Sequence, residues 1–130
     1  MILDMRSLLT LILLWPVVSY GQVGSEHFES SGNAFLRTCS VIEKEHSLTA
    51  GDVMQQEACA AYVSGFVEGL SFATEGAETS SPIYCPPSEG PEAGQLVRIV
   101  LKYIRDHPET AHQRTYLLAG RALRGAFPCK

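Results

Sequence analysis

Asp52-Val53-Met54-Gln55-Gln56-Glu57-Ala58-Cys59-Ala60-Ala61-Tyr62-Val63-Ser64-Gly65-Phe66-Val67-Glu68-Gly69-Leu70-Ser71-Phe72-Ala73-Thr74 reads as one long helix. Cys59, Tyr62, Phe66 and Leu70, continuing to Ala73, recur at helical rather than strand spacing. Asp52, three residues before Gln55, supplies a capping-box-like start. Beside the apolar stripe run Ala61, Gly65, Gly69 and Ala73, each one i+4 step from the last. Glycine inside a helix costs about 1 kcal/mol against alanine, so two of them point to close approach of a neighbouring backbone. Packing inside the domain is the first reading of that stripe; a face for a second copy is the other.

Cys59 leads to the helix before it. Cys39 and Cys59 are equidistant from residue 49, inside the polar stretch Ser47-Leu48-Thr49-Ala50-Gly51. Residues equidistant from a turn lie side by side when the chain folds back as a helical hairpin. A disulfide needs Cα atoms roughly 4.4–6.8 Å apart, so this symmetry is a geometric condition for bridging. The partner helix spans about Asn33 to His46, with Asn33 as N-cap and Phe35, Leu36, Cys39, Ile42 and His46 on one stripe.

The same symmetry returns downstream. Residues 75–90 are rich in turn formers and end the long helix. Pro91 suits the first turn of a third helix, where its missing N–H is harmless. That helix turns Leu96, Val97, Val100, Tyr103 and Ile104 inward and carries Arg98, Lys102 and Arg105 on another face. His107-Pro108 stops it, and Pro108 suits the start of a fourth helix with Ala111, Thr115, Leu118, Ala122 and Leu123 buried. Cys85 and Cys129 are equidistant from residue 107. Four cysteines allow three connectivities; the hairpin geometry favours Cys39–Cys59 and Cys85–Cys129. The expected fold is all-α, four helices in two disulfide-clasped hairpins.

Redox compartment agrees with bridging. Ser7 to Val18 is an apolar run of signal-peptide length after Arg6, and Ser19-Tyr20-Gly21 suits cleavage before Gln22. Residues 1–21 are therefore read as an export signal. Residues 22–130 are read as a single domain, frayed over 22–31, with no membrane contact after cleavage. Disulfides persist in an oxidising compartment such as the periplasm.

Charge is unevenly placed. Between Gln22 and Glu92 eleven Asp and Glu face only Arg37 and Lys44, whereas after Ala93 seven bases face only Asp106 and Glu109. The asymmetry fits either steering of a partner or acidic and basic helices facing one another, and the second is the simpler reading. A net charge of −4 and the lack of any DNA or RNA motif argue against nucleic acid.

Chemistry is hard to find. His27, His46, His107 and His112 form no HExxH or other metal-ligand spacing. Ser64 lies in helix interior, not in a nucleophile elbow, and no phosphate loop occurs. With four cysteines in two bridges no thiol is left as nucleophile. The expectation is a protein without catalytic residues, metal or cofactor.

The chain resembles the Tai family, the type VI secretion amidase-immunity proteins. The resemblance rests on Gly32-Asn33-Ala34-Phe35-Leu36-Arg37-Thr38-Cys39, Cys59-Ala60-Ala61-Tyr62-Val63-Ser64-Gly65-Phe66 and Tyr84-Cys85-Pro86-Pro87. It continues through Gly94-Gln95-Leu96, Lys102-Tyr103-Ile104, His107-Pro108-Glu109, His112 and Ala122-Leu123-Arg124-Gly125-Ala126-Phe127-Pro128-Cys129. Any one motif is weak; all of them in order are specific. At Pro91-Glu92 the chain departs from the family pattern.

That resemblance implies a periplasmic helical protein, commonly a homodimer, that binds a peptidoglycan amidase effector and occludes its active site. The stretch Thr74 to Tyr84 is the candidate contact, with Glu75, Glu78 and Tyr84 as an acidic, aromatic-tipped plug for a cleft holding a protonatable histidine. A small periplasmic chaperone or ligand carrier on the same scaffold is the alternative.

Overall fold

The computed structural model describes residues 27–75 and 81–130, so the expected signal peptide and its cleavage site lie outside the described residues. Four α-helices and two 3₁₀ turns make up the regular structure there: α1 (Gly32–Cys39), a turn at Ser40–Glu43, α2 (Ala50–Glu75), α3 (Ala93–Asp106), a turn at Pro108–Thr110, and α4 (Thr115–Ala126). The all-α fold and both disulfides are as the sequence implies. Cys39–Cys59 closes with Cα atoms 5.8 Å apart and Cys85–Cys129 with 5.0 Å. Among the described residues no helix is long and apolar enough to cross a membrane.

Each helix starts where local chemistry satisfies its free N–H groups. Ser31, in extended backbone, caps α1 by accepting from Ala34 N at 3.2 Å, so the N-cap is two residues earlier than Asn33. α2 also starts earlier than Asp52. Thr49 Oγ1 accepts from Asp52 N, while Asp52 Oδ2 accepts from Thr49 N and Oγ1 at 2.8 Å each. This reciprocal pair is the capping box, one turn ahead of the expected Asp52–Gln55 pair.

α1 is shorter than its apolar stripe suggested. Ser40 Oγ donates to Leu36 O at 2.6 Å, Cys39 is tied to Cys59, and the chain tightens into the 3₁₀ turn. His46 therefore leaves the stripe and is exposed. Ser47 makes the reversal with φ 57°, a conformation uncommon outside glycine. Gln56 Nε2 donates to Val41 O at 2.8 Å, pinning α2 to the turn.

The core is built on α3. Leu96, Val97, Val100, Leu101 and Ile104 are buried among Phe35, Cys39, Cys59, Val63, Leu118, Ala119 and Leu123. Leu101 is buried as well, and Tyr103 is partly buried, packing against this core and stacking on His107 with ring centroids 4.2 Å apart. α4 buries the expected Thr115, Leu118, Ala122 and Leu123. It begins at Thr115 rather than Pro108, because Pro108–Thr110 closes as a separate turn. The linker that follows accepts from α1: Asn33 N donates to Ala111 O at 2.8 Å and Gly32 N to Gln113 O at 3.0 Å. Those bonds commit the linker to α1 and postpone the helix.

The N-terminal approach is ordered from His27 onward, in contrast with the fraying expected up to Ser31. Phe28 packs edge-on against Tyr62 at 5.5 Å and against Phe35 at 6.4 Å, and its carbonyl accepts from Thr115 Oγ1 at 2.9 Å.

Candidate functional site

The second bridge works outside the helices. Cys85 belongs to an extended strap before α3, and Cys129 lies beyond α4. Cys85 N donates to Phe127 O at 2.9 Å, and Tyr84 packs edge-on against Phe127 with ring centroids 6.2 Å apart. The strap is thus fixed at Tyr84-Cys85 to the end of α4. At its other end Pro87 O accepts from Gly90 N at 2.9 Å, in a turn whose φ of 69° favours glycine at that position.

Pinned this way, the strap runs past the last turns of α2. Pro82, Ile83, Tyr84 and Pro86 face Leu70, Ser71, Thr74 and Glu75 across a cleft of about 170 Å³. Ser71 Oγ donates to Val67 O at 3.2 Å and Thr74 Oγ1 to Ser71 O at 2.9 Å, so both hydroxyls are spent on their own helix. What remains for a partner is a slot of mixed polar and apolar lining with one charged residue, the exposed Glu75. Ile83, 45% exposed, stands at its edge.

The expected contact residues divide. Glu75 and Tyr84 line the same cleft, and Glu78 lies outside the described residues. Tyr84 is 8% exposed and belongs to the core, so it is an anchor for the strap rather than an aromatic tip. Its burial pushes the phenol pKa above the usual range. Thr74 and Ile83 fall within the stretch expected to make the contact, without being named as its key residues. Leu70 had been placed on an inward stripe, and nothing local marks Ile83 as exposed.

Elsewhere on the surface several charges of α3 are paired. Arg105 holds both oxygens of Glu43, at 2.6 and 2.7 Å, and its hydrogen bonds lower the Glu43 pKa. Arg98 Nη2 donates to Ile42 O at 3.4 Å and Lys102 pairs with Asp106 at 2.6 Å. The basic face of α3 thus serves α1's turn and itself, which accounts for part of the charge asymmetry.

The histidines are scattered. His107 Nδ1 lies 2.8 Å from Tyr103 O, His27 lies 3.1 Å from Glu29, and His46 and His112 are exposed. Among the described residues no three His, Cys, Asp or Glu converge on a point where a metal could sit.

A family model described as Rap1a immunity proteins matches residues 31–129, from the α1 cap to the last cysteine. No curated protein and no solved structure matches the chain.

Proposed function

The chain belongs to the Rap1a immunity protein family, and from that premise we propose that it neutralises a type VI secreted peptidoglycan amidase by occluding the amidase's active site. An immunity protein acts by binding, and the family match over residues 31–129 is the observation that carries the reading. The amidase target comes from the Tai resemblance carried by the motifs from Gly32 to Cys129. Periplasmic residence comes from the apolar run Ser7 to Val18 and from two disulfides, which persist in an oxidising compartment. The same resemblance implies a homodimer.

Tight inhibition favours a contact surface that is rigid before it binds, because little ordering entropy is then lost on association. The strap meets that requirement through Tyr84 and the Cys85–Cys129 bridge. Glu75 and Glu78 bring negative charge to the effector's catalytic histidine, while Ile83 and the slot beside it accept a side chain next to the active site. A ligand carrier fits less well, since small-molecule pockets run to about 300–1,000 Å³ and the cleft holds about 170 Å³.

The test is effector binding by a Glu75→Ala, Glu78→Ala double variant. Affinity falling at least tenfold supports contact through this stretch; unchanged affinity removes it.

A further inference from the structure

Between Ser81 and Gly90 only Tyr84 is buried, and every other residue of the strap is exposed. An extended segment with a single buried side chain has little apolar contact to hold it closed. Hydrogen bonding adds little more. Pro82, Pro86 and Pro87 have no N–H to donate. Among the described residues one backbone bond, Cys85 N to Phe127 O at 2.9 Å, ties the strap to the rest of the fold. The covalent tie is Cys85–Cys129, and Cys129 Sγ also lies 3.6 Å from the carbonyl of Pro82, a residue of the cleft wall.

The two bridges therefore serve different parts of the molecule. Cys39 and Cys59 are wholly buried in the core cluster, whereas Cys85 and Cys129 are exposed. The packing of α3 on α4 rests on Leu101, Ile104, Leu118 and Leu123, all fully buried, while the second bridge lies outside both helices. Losing it removes the main hold on the strap and leaves that packing in place.

We propose that Cys85–Cys129 is a redox latch: a dithiol reductant cuts it selectively, the strap swings free of α2, and the cleft is lost while the helices stay folded. The exchange is balanced. One thiolate of the dithiol attacks an exposed sulfur of the bridge, forming a mixed disulfide and expelling the other cysteine as thiolate. The second thiol of the reductant then attacks the mixed disulfide, frees the remaining cysteine and closes the reductant's own disulfide. Two electrons pass to the bridge, and each cysteine ends with one proton. A consequence, which rests on the effector reading above, is that only the oxidised protein presents a fixed contact surface. Apparent affinity falls with the fraction of molecules whose strap is closed.

Hydrogen exchange read by mass spectrometry tests the latch in three states: oxidised wild type, wild type after limiting dithiothreitol has opened one bridge, and a Cys85→Ser, Cys129→Ser double variant. Amides of residues 83–85 are expected to exchange roughly thirtyfold faster or more in both bridge-free states, the low end of what one disulfide typically contributes to an equilibrium. Residues 96–104 of α3 should exchange as before, and reoxidised wild type should recover strap protection. Strap exchange unchanged by cleavage overturns the proposal. So does a loss of protection that spreads to 96–104, which would make the bridge a support of the whole core. Amidase inhibition by the double variant, which needs no reductant, reads the consequence: roughly threefold weaker or more than for the oxidised protein. Equal inhibition by both overturns the control of recognition. An oxidised protein that inhibits no amidase removes the effector reading instead, and the exchange result still decides the latch.

Discussion

Gly32 and Leu118 are in contact at a distance that admits no side chain on the former: a Cβ at Gly32 would lie 2.5 Å from Leu118 Cδ1. The same Cβ would stand 2.9 Å from Ala111 O and 3.2 Å from Ile104 Cγ2, so three elements converge on the first residue of α1. Leu118 is fully buried and Ala111 O is backbone, so neither yields cheaply.

Gly32→Ala is accordingly expected to destabilise the protein by about 1–3 kcal/mol, the usual cost of overpacking a filled core. Alanine's better helix propensity is outweighed at this position. Thermal unfolding should show a melting temperature lower by several degrees. An unchanged or raised value would mean that α1 moves freely relative to α4.

The two bridges should differ in reactivity. Cys39 and Cys59 are fully buried, whereas Cys85 and Cys129 are exposed. Under limiting reductant, alkylation followed by mass spectrometry should find Cys85 and Cys129 modified first, with the other pair labelled only as the protein unfolds. Simultaneous labelling would contradict the burial of the first bridge.

Glu43 and Arg105 join the turn after α1 to α3 through two parallel hydrogen bonds, yet each side chain is about two-fifths exposed. Solvent screening keeps such pairs near 0.2–1 kcal/mol. A double-mutant cycle with Glu43→Gln and Arg105→Met should give a coupling within that range that shrinks in high salt. A coupling of several kcal/mol would show a far drier contact.

Asp52 sets the acid limit of the α2 start. The Lys44 ammonium, then the backbone N–H and hydroxyl of Thr49, hold its carboxyl down to about 2. The fold thus favours the charged form. Its contribution is complete above the ordinary aspartate range, about 4, and is lost as pH falls through about 2. Asp52→Asn should flatten the fall of melting temperature over that window. An acid limb identical in variant and wild type would assign the loss to other carboxylates, such as Glu43.

Much of this was readable from sequence because spacing carries it. Helical periodicity located all four helices, and equal distances from two turns gave both cysteine pairings. The errors came where a local hydrogen bond, from a side chain or the backbone, outbid the pattern. Ser31 rather than Asn33 took the α1 cap, Thr49 moved the α2 start forward, and the bonds from Gly32 and Asn33 to the 111–113 linker delayed α4. Such competition between neighbouring hydrogen-bonding groups leaves no periodic trace. At the cleft, Glu75 was legible as an acidic residue ending a helix. The burial of Tyr84 was not legible, because it depends on Phe127, far along the chain. The small residues of α2 were read first as internal packing, yet among the described residues nothing lies within 4 Å of a Cβ built on Gly65 or Gly69, because α1 and α3 pack elsewhere on the helix.

The most direct test of the immunity reading is a titration of the purified, disulfide-intact protein into type VI peptidoglycan amidase effectors, following muropeptide hydrolysis. The account predicts that hydrolysis by one effector stops at a stoichiometric equivalence point while unrelated hydrolases are unaffected. Full activity of every amidase at molar excess of this protein would contradict it.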